Sequence, residues 1–194
     1  MRIVNQGMFI ANLKSGDIGI IDARNPFAWL QDLYRKKFHE GEYSASHGFC
    51  VADPPAIVES NGWKPSYAKI TKFIGNTTKC WVFRNTAMNS QKWNNMRSYA
   101  DGAIEMGGHY GIGNIIQFGL QFLGIRKKIT DASGQFCTEF TSNLIEEAGL
   151  PYNVGKPFYA VTPSWQLNYM MGEQAKKDGW FLVCEYNGKE YLIK

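Results

Sequence analysis

Cys137, His47 and Glu59 are the residues whose types and surroundings point most directly to chemistry. Cys137 lies near the start of residues 134–151, where Phe136, Phe140, Leu144 and Ala148 recur at helical spacing. Gly134 breaks what precedes this stretch, and Gly149 with Pro151 supplies its stop. The spacing predicts a helix with Cys137 in its first turn. Unpaired N–H groups and aligned peptide dipoles favour an anion there, and the reactive form of a cysteine is its thiolate. The competing expectation is a small, inert core residue, the usual state of a lone intracellular cysteine. A partner base would decide between them.

Residues 46–52 read as a strand, Asp53-Pro54-Pro55 as a tight connection and residues 56–59 as the return strand of a hairpin. A three-residue connection sets Glu59 opposite Phe49 and diagonal to His47, on one face. Diagonal neighbours lie about 7–8 Å apart, within reach of a glutamate side chain. The carboxylate would then orient the imidazole and stabilise its protonated form. The alternative is that Glu59 merely ends an edge strand in solvent.

The remaining elements follow from similar signals. Lys14-Ser15-Gly16-Asp17 is turn chemistry, and residues 18–21 after it have the apolar character of a buried strand. Asn25-Pro26 offers a cap and a first-turn proline to a helix striped with Phe27, Leu30, Tyr34 and Phe38. Residues 79–84 form a strand by composition. A helix from Asn89 or Ser90 carries Trp93, Met96, Ala100 and Ala103 on one side, stopping at Gly107-Gly108. A loop at 108–111 leads to a greasier helix over 112–123. Thr162-Pro163 caps a short helix, and residues 180–186 and 189–193 flank an Asn187-Gly188 hairpin turn. About six strands, mostly in hairpins, with four or five helices predict an α+β domain built on an antiparallel sheet.

Bulk properties narrow the function classes. The 194 residues, 44% hydrophobic and 20% charged, suit one globular domain over 1–194 and argue against wholesale disorder. The net charge of +4 is modest, and the clusters Arg35-Lys36-Lys37 and Arg126-Lys127-Lys128 come with no nucleic-acid motif, so no nucleic-acid partner is expected. Cys50, Cys80, Cys137 and Cys184 form no CxxC pair, and His39, His47 and His109 form no HExxH, so free thiols and neither metal nor cofactor are expected. The amino terminus carries no secretory pattern and the longest apolar run is too short to span a bilayer. These features predict a cytoplasmic protein as synthesised, its final location, a virus particle included, left open.

The order of the short motifs Gly16-Asp17-Ile18, Ser46-His47-Gly48, Val58-Glu59-Ser60, Gly108-His109-Tyr110 and Phe136-Cys137-Thr138-Glu139 resembles the permuted papain-fold hydrolases of the NlpC superfamily, in particular the YiiX-like amidases. Thr162-Pro163-Ser164-Trp165-Gln166-Leu167 is similar to the proline-containing segment that follows the cysteine helix in that group. The histidine precedes the cysteine, as circular permutation requires. The resemblance implies a circularly permuted papain-like (NlpC-like) fold, with an antiparallel sheet or open barrel packed on helices. It also implies Cys137 as nucleophile, His47 as base and Glu59 as the group orienting it. Two departures stand out: Gly111 replaces the aspartate common after the tyrosine, and residues 25–44 form a long insertion that predicts a lid or specificity element.

The implied reaction is attack of the Cys137 thiolate on a carbonyl, with His47 moving the proton and water releasing the acyl-enzyme. The Cys137 N–H is a natural oxyanion donor; Tyr110 and Gln135 are candidates for a second. His109 is a candidate substrate contact, set against a capping role. The substrate is read as a peptide amide, in cell-wall peptide or a peptide conjugate. The alternative, an acyl hydrolase or acyltransferase acting on acylated lipid, rests on similarity to lecithin:retinol acyltransferase enzymes and on the greasy residues 115–123 beside the second basic cluster. A membrane contact there is less favoured than a core helix. A non-catalytic binding module is the third reading.

Overall fold

The computed structural model describes residues 1–23, 28–60, 64–75, 77–107, 137–158 and 161–194. Among these, eight strands form one wholly antiparallel sheet. They are β1 (Arg2–Val4), β2 (Ile18–Ala23), β3 (His47–Val51), β4 (Ala56–Ser60), β5 (Pro65–Lys69), β6 (Thr77–Asn85), β7 (Trp180–Tyr186) and β8 (Tyr191–Ile193). Their order across the sheet is β1-β8-β7-β6-β2-β3-β4-β5. The helices are α1 (Gln6–Ala11), α2 (Ala28–Lys37), α3 (Ser90–Glu105), α4 (Cys137–Glu147), α5 (Pro163–Met171) and α6 (Glu173–Lys177). A 3-10 turn covers Ile70–Lys72.

Alternation along the strands gives the sheet two apolar faces. Ile18, Ile20, Cys50, Val58, Trp81 and Phe83 face the helices and pack with Met96 and Ala100 of α3, Phe140 and Leu144 of α4 and Leu167 of α5. Ile21, Phe49, Val51, Ile57, Cys80 and Val82 face the other way, under Phe9 of α1 and Ile70 of the 3-10 turn. Gly19 is required on this second face because the Phe49 ring lies where its Cβ would be, with Cζ 2.0 Å away. Fully burying one such apolar side chain contributes about 1.5–3 kcal/mol, so the central strands are committed on both faces.

The hairpin that carries the candidate base and its partner has the expected register. Phe49 faces Glu59, Cys50 faces Val58 and Val51 faces Ile57. The α3 cap is Asn89, whose side chain accepts from the Lys92 N–H, and α5 starts at Pro163 behind the Thr162 cap. The carboxy-terminal hairpin differs in detail. Tyr186 faces Tyr191, so its loop spans 187–190 and β8 begins two residues later than expected. The Asn187 side chain accepts from the N–H groups of Lys189 and Glu190, which draws those residues into the turn.

The expected cap and proline at Asn25-Pro26, the stripe residue Phe27, the 108–111 loop and the helix over 112–123 lie outside the described residues. Within the insertion at 25–44, the described part from residue 32 on runs back along α5. Asn168 accepts from the Tyr43 N–H at 3.1 Å and donates to the Tyr43 carbonyl at 2.8 Å. Among the described residues no helix is long and apolar enough to cross a membrane.

Candidate active site

Helix α4 is held at both ends before its cysteine can do anything. At its carboxy end Gly149 adopts φ +59°, and the N–H groups of Gly149 and Leu150 return to the carbonyls of Glu146 and Ile145 at 2.7 and 3.1 Å. The Lys92 ammonium donates to the carbonyls of Ala148 and Gly149 at 2.9 and 2.8 Å, tying that end to α3 and complementing the helix dipole. In its first turn the Thr138 hydroxyl donates to the Val161 carbonyl at 2.5 Å. Cys137 is thereby set as the first residue of α4, half-buried, above the start of β3.

Close approach of α4 and α5 to β3 depends on Gly48. A Cβ there would sit 3.1 Å from Gln166 Oε1 and 3.4 Å from Thr141 Oγ1. Gln166 is fully buried and donates to Tyr152 Oη at 3.0 Å, so it has little room to retreat. The β3–β4 ladder ends at Phe49↔Glu59, one residue short of Gly48, and the Gly48 N–H donates to the Cys137 sulfur. The Thr138 N–H is a second donor to the same sulfur.

His47 opens β3, its side chain 15% exposed, and is hydrogen-bonded on two sides. Its Nε2 lies 2.7 Å from Glu59 Oε2. That leaves Nδ1 as the ring nitrogen able to serve Cys137, with which the imidazole shares a hydrogen bond. The Phe73 ring packs against it, centroids 5.4 Å apart. Glu59 is buried, 1% exposed, and its other oxygen, Oε1, accepts from Lys72 Nζ at 2.6 Å. Lys72, Glu59, His47 and Cys137 thus form one chain of alternating charge.

The proton affinities respond to this arrangement. Burial alone would lower the His47 pKa; the Cys137 charge and hydrogen bond, followed by those of Glu59, outweigh it and raise the value to about 9. Burial would raise the Cys137 pKa, yet the His47 charge and hydrogen bond, with the Gly48 and Thr138 N–H donors, bring it below the ordinary thiol value of 9.0. Both shifts act in the direction of an ionised pair, a thiolate beside an imidazolium. Glu59 is likewise opposed by burial but carried below 4.5 by His47 and then Lys72. The other cysteines are buried and inert by comparison. Burial pushes Cys50 and Cys80 far up and Cys184 up to about 11. None of the four is in a disulfide.

Of the site residues expected from sequence, the structure brings together Cys137, His47 and Glu59. Tyr110, Gln135 and His109 lie outside the described residues. His39 stays apart, exposed at the end of α2 with φ 52°. Lys72 and Phe73 complete the surroundings with no motif pointing to them, and the Gly48 N–H and Gln166 do so from within the motifs Ser46-His47-Gly48 and Thr162-Pro163-Ser164-Trp165-Gln166-Leu167, which assign them no role. The order Gly16-Asp17-Ile18 contributes a brace: buried Asp17 takes two hydrogen bonds from Arg84, at 2.7 and 2.8 Å. Among the described residues no group of three or more His, Cys, Asp or Glu side chains is disposed to hold a metal ion.

No family model matches the chain, and no curated protein matches it. Its fold is similar to a crystal structure described as metalloprotein yiiX from Escherichia coli O157:H7, DUF1105, with a TM-score of 0.54 over 94% of this chain and 89% of that one. The two sequences are 16% identical, so the likeness is one of fold.

Proposed function

We propose that the chain is a cysteine-dependent hydrolase that cleaves an amide bond, with Cys137 as nucleophile, His47 as general base and acid, and Glu59 as the group that orients His47. The observation that carries the reading is the hydrogen-bonded line from Cys137 through His47 to Glu59, with the thiol pKa lowered and the imidazole pKa raised. A structural cysteine at a helix start needs neither an imidazole nor two N–H donors on its sulfur.

In the first half of the reaction the thiolate sulfur bonds to the carbonyl carbon, and the carbonyl π electrons move onto oxygen. The Cys137 N–H at the start of α4 is the proposed oxyanion donor. The C–N bond then breaks as His47 gives its proton to the departing amine, leaving a thioester on Cys137. In the second half water attacks the thioester, His47 takes a proton from it, and the thiolate departs as the acid is released. Glu59 remains ionised and holds the ring orientation through both halves.

The YiiX-like fold, with histidine before cysteine along the chain, supports a circularly permuted papain-like, NlpC-like reading of this α+β architecture. The neighbour is described as a metalloprotein. Here Cys137, His47 and Glu59 are engaged with one another, and the Lys72 ammonium occupies Glu59 Oε1. These residues do not fit a metal, and no metal enters the proposed step. The lipid alternative rests on residues 115–123, outside the described residues, and no described feature favours it.

The test is a panel of peptide amides and acyl esters followed by intact-mass spectrometry. The reading expects amide turnover, a thioester adduct on Cys137 and loss of both in Cys137→Ala. Hydrolysis that survives Cys137→Ala overturns it, and a binding function left unchanged in Cys137→Ser favours a non-catalytic module.

A further inference from the structure

Lys72 reaches the site on an anchored turn. Ile70 at the start of that turn is fully buried, and its N–H donates to the Pro55 carbonyl at 2.9 Å; the Phe73 N–H closes the turn on the Ile70 carbonyl at 2.9 Å. Phe73 packs on the His47 ring, and Lys72 Nζ lies 5.2 Å from the Phe73 ring centroid and 2.6 Å from Glu59 Oε1. One turn therefore supplies both a cation to the carboxylate and an aromatic wall to the imidazole.

Glu59 needs that cation. A buried carboxylate has two oxygens to satisfy, and His47 takes only Oε2. With Oε1 unpaired the carboxylate would be free to rotate or to take up a proton, and either event removes the acceptor from His47 Nε2. A neutral donor would fill the lone pair without offsetting the charge, whereas an ammonium does both.

We infer that Lys72 is a positioning residue of the proposed hydrolase: it pins Glu59 Oε1 so that Oε2 stays on His47, and it adds a positive charge behind the thiolate. The inference rests on the hydrolase reading for its purpose. Among the described residues, the titratable groups facing Glu59 are His47 from β3 and Lys72 from the turn, and those facing His47 are Glu59 from β4 and Cys137 from α4. Removing the Lys72 charge raises the proton affinity of Glu59 and Cys137, and loss of the Glu59 acceptor lowers that of His47. The acid limb of the reactivity profile therefore moves to higher pH and the alkaline limb, set by His47, to lower pH.

The experiment measures the rate of Cys137 alkylation by iodoacetamide from pH 4 to 10, together with the His47 titration by NMR, in wild type, Lys72→Met and Lys72→Arg. A thermal melt of each protein reports folding. Lys72→Met is expected to move the acid limb up by about 0.5–1 pH unit and Lys72→Arg to restore it, since Arg keeps both charge and donors. Unchanged limbs in Lys72→Met, on a wild type whose Cys137 is activated, overturn the role of Lys72 alone. A merely structural lysine would lower the melting temperature in Lys72→Met while leaving both limbs in place, and that result also overturns it. A wild-type Cys137 that alkylates no faster than a free cysteine at neutral pH overturns the hydrolase reading itself.

Discussion

His47 Nε2 and Glu59 Oε2 lie 2.7 Å apart although the two residues do not face each other: Glu59 is paired with Phe49 and meets His47 on the diagonal of the β3–β4 hairpin. The geometry holds only while Glu59 keeps its length and charge. Glu59→Gln should lower kcat/KM by roughly 10²–10⁴-fold, the range expected when the orienting carboxylate of a nucleophile–histidine pair becomes an amide. The His47 titration should also fall from about 9, because one of the two negative partners that raise it is gone. A variant with full activity and an unmoved His47 titration would leave Glu59 with no role in the site.

The same carboxylate makes stability depend on acid. Its folded pKa is lowered from 4.5, so its contribution is complete above that value and is lost as pH falls through the lowered folded one. Urea unfolding should show Glu59→Gln costing about 1–3 kcal/mol at pH 7, with the gap to wild type closing in strong acid. A gap that widens towards acid contradicts the sign.

Cys137 should be the cysteine that reacts. At pH 7 and low reagent, alkylation should mark Cys137 well ahead of Cys50, Cys80 and Cys184, whose thiols are buried and held protonated. His47→Ala should slow the labelling by about tenfold or more as the thiolate loses its counter-ion. The linkage has a definite direction: the His47 contribution to stability is complete below 6.5 and fades as pH rises through about 9. Peptide mapping with the four sites labelled equally, or insensitivity to His47→Ala, would contradict an activated thiol.

Glu40 shows what a local reading misses. It follows exposed His39 at the polar end of α2, where the sequence offers no motif, yet its side chain is 1% exposed, bonded to the Thr162 hydroxyl and 3.1 Å from Lys156 Nζ. Those partners are over a hundred residues away in sequence, so no spacing rule reaches them. The hairpin register was legible because the three residues Asp53-Pro54-Pro55 constrain it locally, and α4 was legible because its apolar period and Gly149 stop are local too. The two strands not anticipated, β1 and β5, are the edges of the sheet, short and only partly buried, where alternation is weakest. The meeting of Cys137 with His47 was legible only through the order of motifs. Lys72, on a 3-10 turn of ordinary composition, had no signal.

Glu40 also anchors residues 38–45 to the start of α5, the stretch that leads into His47. Glu40→Ala leaves Lys156 beside Trp165 without its carboxylate and the Thr162 hydroxyl without its acceptor. The expected cost is about 3 kcal/mol, as for removing one partner of a buried pair. Denaturant unfolding with a change below about 0.5 kcal/mol would show that the contact carries no structural load.

Gly48 tests whether the approach of α4 and α5 to β3 sets the position of the sulfur. In Gly48→Ala the new methyl meets Gln166 Oε1 at 3.1 Å, and the Tyr152 hydroxyl at the far end of that amide resists its withdrawal. Overpacking of this kind typically costs about 1–3 kcal/mol, and here the shift falls on the strand whose N–H holds Cys137. Stability and the Cys137 alkylation rate should therefore fall together. Combining the change with Gln166→Ala removes the atom that the methyl meets, so Gly48→Ala should cost less in that background, read as a coupling energy from the four unfolding curves. Strict additivity would show that the glycine is needed for some reason other than the closeness of α5.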